Sequence, residues 1–310
     1  MYFARPEIIR PPSEWKSYFL PLTRGCSNNS CTFCGYYGSK LQMREIGEVK
    51  EEIDALSLYM SSGIQLPTIP HIVYHIARSW DGKRIFLQDG DALIYPFPKL
   101  KEVLTYVNKK FPALERIATY ATPQDILRRG VDELEVLKEL KLGIFYTGLE
   151  SGWDDVLRRV DKGVDSQQII EAGKRARQAG IIMSMTVILG LAGVEGSKRH
   201  AIETARVLSE IDPEYAGALT LTVVSSTPLY QEWKEGKFAP ISPFESLEEL
   251  RTIIEHSDFT ACFFSSMHAS NYQALRGRLP QEKGKMMEEL SYVLRRRDAS
   301  LLRPEFLRGL

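Results

Sequence analysis

The chain has no run of eighteen apolar residues, so nothing in it reads as a membrane span. It has no excess of charge: forty Lys and Arg balance forty Asp and Glu. That leaves no strong signal for nucleic acid or an anionic membrane. It has no low-complexity tract and no short repeat. Cysteine is scarce, four in 310 residues, and no signal-peptide pattern stands at the start. Both features point to a reducing, cytoplasmic compartment rather than a disulfide scaffold. With 44% apolar residues, the chain has enough core for one large α/β domain or two small ones.

The cysteines that are present are concentrated. Cys26, Cys31 and Cys34 fall within nine residues, in Arg24-Gly25-Cys26-Ser27-Asn28-Asn29-Ser30-Cys31-Thr32-Phe33-Cys34-Gly35. Fe–S clusters are normally held by four cysteines. Three on one loop would leave one iron of a 4Fe–4S cube open for a ligand. Zinc, with Cys262 or a histidine as fourth ligand, is an alternative, although structural zinc sites usually pair two C-x2-C knuckles. A disulfide plus a free thiol is another.

Apolar runs alternate with amphipathic stretches. Residues 17–24 read as a strand leading into the cysteine loop. Further strands are expected at 85–87, 117–120, 144–147, 181–189 and Tyr215–Val224. Helical spacing joins Ile46, Val49, Ile53 and Leu56, then Leu100, Val103, Val107 and Phe111. It recurs at Leu134–Leu140, Ile169–Ala179 and Ile202–Ile211. Six βα units in alternation imply a parallel sheet with right-handed crossovers. Residues 63–83, with Pro67, Pro70 and a helix around His71–Ser79, read as an insertion before the second strand.

The cysteine loop resembles that of the radical S-adenosylmethionine (SAM) superfamily, in which three cysteines bind the cube and SAM chelates the open iron. The family's usual spacing is C-x3-C-x2-C with an aromatic before the third cysteine. Phe33 matches the aromatic; the first gap here is one residue longer, which a Gly/Ser/Asn-rich loop accommodates. The resemblance implies a partial (β/α)6 barrel, a 4Fe–4S cluster and SAM as cofactors, and an external electron donor of flavodoxin or ferredoxin type. The motif Gly148-Leu149-Glu150-Ser151-Gly152 and the run Leu157–Gly163 are similar to the branch of oxygen-independent coproporphyrinogen oxidase, the Elongator catalytic subunit and the methylthiotransferases. By that likeness, SAM contacts fall on Gly90 and Asp91 after strand two and on Glu150 after strand four. They continue on Ser184, Thr186 and Ile188 along strand five and on Val224 at strand six. Lys174, Arg175 and Arg177 are candidates for the SAM carboxylate.

The resemblance covers about residues 15–230. A division into a core of residues 1–234 and a C-terminal extension of residues 235–310 follows. The extension carries the polar run His268 to Arg278, expected to cap the barrel and line the substrate space with His268, Asn271, Tyr272 and Arg276. A hairpin or helix that merely seals the barrel edge is the competing expectation. Cys262, in an apolar run, reads as a buried small residue. With no cobalamin-binding, acetyltransferase or RNA-binding appendage in evidence, a small-molecule substrate is favoured. A peptide or RNA substrate is an alternative, as is a non-catalytic Fe–S or zinc protein that kept the fold.

Overall fold

The computed structural model describes residues 3–309. They form two compact units. The first holds residues up to Asn29, Gly38–Tyr146 and Arg175–Ile182; the second holds Ser30–Tyr37, Thr147–Lys174 and the chain from Met183 on.

The first unit contains β1 (Tyr18–Pro21), β2 (Thr23–Arg24), β3 (Gln42–Met43), α1 (Ile46–Ser62) and α2 (His71–Ala77). It continues with β4 (Arg84–Gln88), α3 (Phe97–Lys110), β5 (Arg116–Tyr120), α4 (Pro123–Leu127), α5 (Val131–Glu139) and the start of β6 (Leu142–Glu150). β1, β4, β5 and β6 pair in that order, all parallel. Val49, Ile53 and Leu56 of α1 and Leu100, Val103, Leu104 and Val107 of α3 are buried, as their 3.6-residue spacing predicts. The expected strand at 17–24 is broken at Leu22. There the chain leaves β4 after Leu22 N–H donates to Gln88 O, and Thr23 pairs instead with Met43. The segment before β1 is tied to the sheet by Glu14. Its buried carboxylate accepts from Ser17, Tyr146 and the Arg116 guanidinium.

The second unit contains the end of β6, α6 (Asp154–Arg159), part of α7 (Ser166–Gln178), most of β7 (Ile182–Leu189), α8 (Gly193–Ile211) and β8 (Tyr215–Thr220). It continues with α9 (Pro228–Lys234), α10 (Pro243–His256), β9 (Cys262–Ser265), β10 (Arg276–Leu279) and α11 (Lys283–Arg296). β7, β8 and β9 are parallel and β10 is antiparallel to β9. α10 packs on α8 and α11. It begins with Pro243 in its first turn and a capping box in which Ser242 and Glu245 satisfy each other's backbone N–H groups.

Two sequence expectations change here. The sixth expected strand stops at Thr220, so Val224 lies beyond it. Thr220 still pairs with Leu189 of β7, but its N–H donates to Ser270 Oγ and its hydroxyl bonds Asn271 and Ser246, so side chains take over from a strand partner on its other side. The apolar run 260–264 and part of the polar run after it form β9 and β10, which extend the pairing beyond six βα units. Among the described residues no helix is long and apolar enough to cross a membrane.

Candidate functional site

The start of the cysteine loop, in the first unit, is fastened to the end of β4. Gly25 N–H donates to Asp89 Oδ2 at 3.1 Å, and Asp89 N–H donates to Thr23 Oγ1 at 3.2 Å. Ser27, next to Cys26, places its hydroxyl 2.5 Å from Asp91 Oδ2 and 2.6 Å from Asp125 Oδ2. Thr122, the N-cap of α4, bonds the same two oxygens at 3.1 and 2.9 Å. Burial, and then the neighbouring Asp125, hold the Asp91 carboxyl well above its ordinary pKa. Burial also raises Asp125, but hydrogen bonds from Asp91, Ser27 and Thr122 outweigh it and hold that carboxylate below its ordinary value. Asp91 was expected to meet SAM. Its side chain is instead fully buried and turned to the loop, while Gly90 beside it is partly exposed.

The end of the loop belongs to the second unit. Thr32 N–H donates to Val160 O, and Thr32 O accepts from Leu229 N–H. Phe33 packs against the apolar cluster of Val156, Val160, Leu191 and Ala192, with Ile188 and Leu221 alongside. Cys31 is buried and Cys34 half-buried. Burial pushes the Cys31 thiol up to about 11, with Lys162 opposing, and raises Cys34 as well. These thiols are protonated at neutral pH until a metal displaces the proton.

Glu150 ends β6 with a left-handed backbone, φ +62°. Its Oε1 lies 2.9 Å from Lys162 Nζ, with the two side chains only 13% and 8% exposed. This close pair depends on Gly148: a Cβ there would fall 1.9 Å from Glu150 Oε1 and 3.1 Å from Lys162 Nζ. The next residue, Ser151, begins a buried polar chain. Its Oγ is 2.8 Å from His200 Nδ1, and His200 Nε2 is 3.1 Å from Ile188 O and 3.8 Å from Glu249 Oε2. Glu249 accepts Gly190 N–H at 2.7 Å. Burial lowers His200 to about 4 and raises Glu249 to about 7. The chain fixes the turn after β7, where Gly190 at φ +82° lies so close to Ile241 that a Cβ would be 2.9 Å from it.

Along β7, Ser184, Thr186 and Ile188 share the partly exposed face, as alternation predicts, and Met183, Met185, Val187 and Leu189 are buried. Where β7 and β8 end lies a cavity of about 300 Å³, lined by Gly190, Leu221, Trp233, Tyr272, Glu305 and Arg308 among others.

The other candidates are redistributed. Asn271 is 2% exposed, and its amide is consumed: Nδ2 donates to Ala218 O and Ser266 O, and Oδ1 accepts from Thr220. It holds the end of β8 and has no free group for a substrate. His268 Nδ1 bonds Ser270. Tyr272 OH donates to Glu305 and accepts from Arg308, whose guanidinium lies over the ring at 4.2 Å. Arg276 alone of the four is exposed on an open strand face. Arg175 Nη1 is committed to Leu127 O and Arg129 O, which argues against its pairing with a SAM carboxylate; Lys174 is exposed. Cys262 is 1% exposed, its thiol pushed up to about 12 by burial. Ser27, Thr122, Asp125 and Lys162 were not anticipated. The N-cap pattern Thr122-Pro123-x-Asp125 was visible, but its partners lie 31 and 98 residues away.

The radical SAM superfamily model matches residues 20–205. The chain is 26% identical over 181 residues to a Methanocaldococcus jannaschii protein provisionally named a methylthiotransferase, covering 55% of this chain and 34% of that one. It is 24% identical over 178 residues to the heme chaperone HemW of Bacillus subtilis, covering 56% and 45%. The chain thus spans less than half of either relative. Escherichia coli coproporphyrinogen III oxidase (HemN) superposes with a TM-score of 0.53 at 17% identity, over 77% of this chain and 51% of that one. That likeness shows the fold, the partial-barrel α/β architecture of radical SAM enzymes. With the family model spanning more than half of its length, the chain belongs to the radical SAM superfamily, whose enzymes use a 4Fe–4S cluster and SAM.

Proposed function

We propose that Cys26, Cys31 and Cys34 hold the cluster and that the chain acts on a small-molecule substrate in a reducing cytoplasm. A flavodoxin- or ferredoxin-type protein would supply the electron. The observation that carries this reading is the loop itself: three cysteines within nine residues, none of them in a disulfide among the described residues, with both loop ends fastened by hydrogen bonds to neighbouring elements. The residues present fit a three-thiolate cluster. When bound, cluster and SAM supply a 5′-deoxyadenosyl radical that takes a hydrogen atom from substrate.

The chain's own part is to hold and orient. Asp91 and Asp125 both hydrogen-bond Ser27 and so fix the peptide carrying Cys26. Phe33 in its apolar cluster keeps water from the Cys31–Cys34 turn. Gly90, Glu150, Ser184, Thr186 and Ile188 are the proposed SAM contacts, and Lys162 holds the Glu150 carboxylate in place through their ion pair. Val224 joins them only through its loop. Residues 235–310 would supply the substrate side.

Anaerobic reconstitution tests the reading. Wild type should take up about four irons per chain and release 5′-deoxyadenosine from SAM under a strong reductant; Cys31→Ala should do neither. One zinc per chain with no iron uptake in anaerobically prepared wild type would refute it.

A further inference from the structure

Four strands of the second unit run in register and leave one face open. Ser184, Tyr215, Phe263 and Arg278 form one row across β7, β8, β9 and β10. Thr186, Gly217, Ser265 and Arg276 form the next. All eight are half-buried or exposed. Their alternates Met185, Ala216, Phe264, Gly277 and Leu279 are buried, and α11 packs against β10.

The open face carries two guanidiniums and no carboxylate. Neither the Arg276 nor the Arg278 side chain has a hydrogen-bond or ion-pair partner among the described residues. Arg158, Arg206 and Arg251 differ: Arg158 pairs with Asp155, Arg206 with Glu203 and Glu210, and Arg251 with Glu255. The nearby Glu282 carboxylate accepts from the backbone N–H of Arg278 instead. Tyr215 and Phe263 lie beside the arginines, their ring centroids 6.4 Å apart.

Alternate residues on a strand are about 7 Å apart, and β7 lies about 14 Å from β10 across the sheet. Two forks at that spacing suit two carboxylate or phosphate groups on one edge of a ligand. The aromatic pair suits a flat apolar body between them and β7. We propose that this face binds the substrate, a flat small molecule with two anionic groups on one edge. Those groups sit on Arg276 and Arg278, and the ring lies over Tyr215 and Phe263. Its opposite edge points to Ser184, Thr186 and Ile188, so the hydrogen to be removed lies on the edge remote from the anionic groups. Two free arginines in a chain of balanced charge are too small a footprint for a nucleic-acid strand, which gains affinity by neutralising many phosphates. This inference rests on the proposed SAM contacts of β7.

Calorimetric titration of the anaerobic, iron-loaded protein tests it, with naphthalene dicarboxylate, naphthalene monocarboxylate and naphthyl phosphate as probes. Wild type should bind the dicarboxylate more tightly than the monocarboxylate; the phosphate arm tells which anion is preferred. Arg276→Gln and Arg278→Gln should each weaken the dicarboxylate about tenfold or more, the effect of losing one charge-assisted pair. The double variant should no longer distinguish dicarboxylate from monocarboxylate, and the double lysine variant should recover part of the preference. Tyr215→Ala should weaken both probes, and Arg295→Gln on α11 neither. Equal wild-type affinity for the two carboxylates, arginine variants that bind like wild type, or tighter binding of an oligouridylate than of any probe would overturn the inference. SAM cleavage by wild type is scored separately. Cleavage without dianion preference removes this inference alone; dianion preference without cleavage removes the proposed function alone.

Discussion

His200 and Glu249 are buried neighbours whose pH responses should largely cancel, and separating them should expose two opposite slopes. In His200 the pKa falls from 6.5 to about 4 because burial disfavours the imidazolium. The unfolded chain then binds the extra proton, so stability is present above pH 6.5 and is lost as pH falls toward about 4. In Glu249 the pKa rises from 4.5 to about 7 because burial disfavours the carboxylate, against hydrogen bonds from Gly190 and Ser197. The native state binds the extra proton, so stability is full below pH 4.5 and is lost as pH rises through about 7. At about 1.4 kcal/mol per pH unit, the His200 contribution rises by about 2 kcal/mol and the Glu249 contribution falls by about 3 kcal/mol between about pH 5 and pH 8. Glu249→Gln should therefore leave a protein that gains about 3 kcal/mol over that range relative to wild type. His200→Gln should leave one that loses about 2 kcal/mol relative to wild type. Urea unfolding of the reduced, iron-free protein at a series of pH values measures both slopes. Absolute stabilities will drop in both variants, but only the slopes bear on the reasoning. Two variants with parallel pH profiles would refute it.

Gly148→Ala would drive a methyl into the Glu150 carboxylate and break its pair with Lys162, so it should cost about 3 kcal/mol. In a Glu150→Ala background the same change should cost less than about 1 kcal/mol, and a double-mutant cycle by urea unfolding checks the difference. Asn271→Leu removes three hydrogen bonds, strands Ala218 O and Ser266 O, and leaves the Thr220 hydroxyl only Ser246. It should cost about 3 kcal/mol in the same assay, and a loss under about 1 kcal/mol would show that the amide does not hold the end of β8.

The βα alternation was legible because its signals are local: α1 and α3 bury what their spacing says, and Ser184, Thr186 and Ile188 fall on one face by strand period alone. β9 and β10 were legible only as the competing expectation of a hairpin at the barrel edge, without strand bounds. Cys262–Ser265 is four residues long, and Arg-Gly-Arg-Leu reads as polar loop until β8 offers a partner. Asp91 stood at the expected strand end, but the direction of its carboxylate is set by Ser27 and Asp125, which are 64 and 98 residues apart from their partners. Asn271 and Tyr272 were expected to face the substrate space and instead bond within the protein. Their partners turned out to be the protein's own backbone and its last residues, which no spacing announces.

Among the described residues β10 ends its sheet, with β9 as its one strand neighbour. An unpaired edge is a template for another copy of the chain, and charged side chains are a common defence. Arg276 and Arg278 flank Gly277 on the four-residue edge. If they are also the anion readers, two demands meet on the same pair: they must attract a ligand and repel a second strand. Loss of both charges would expose a flat edge as well as empty a site, and a second copy could add a strand there. Adaptation to an uncharged substrate at this face would then need a substitute guard, such as a proline or a bulge on β10, before the arginines could be released.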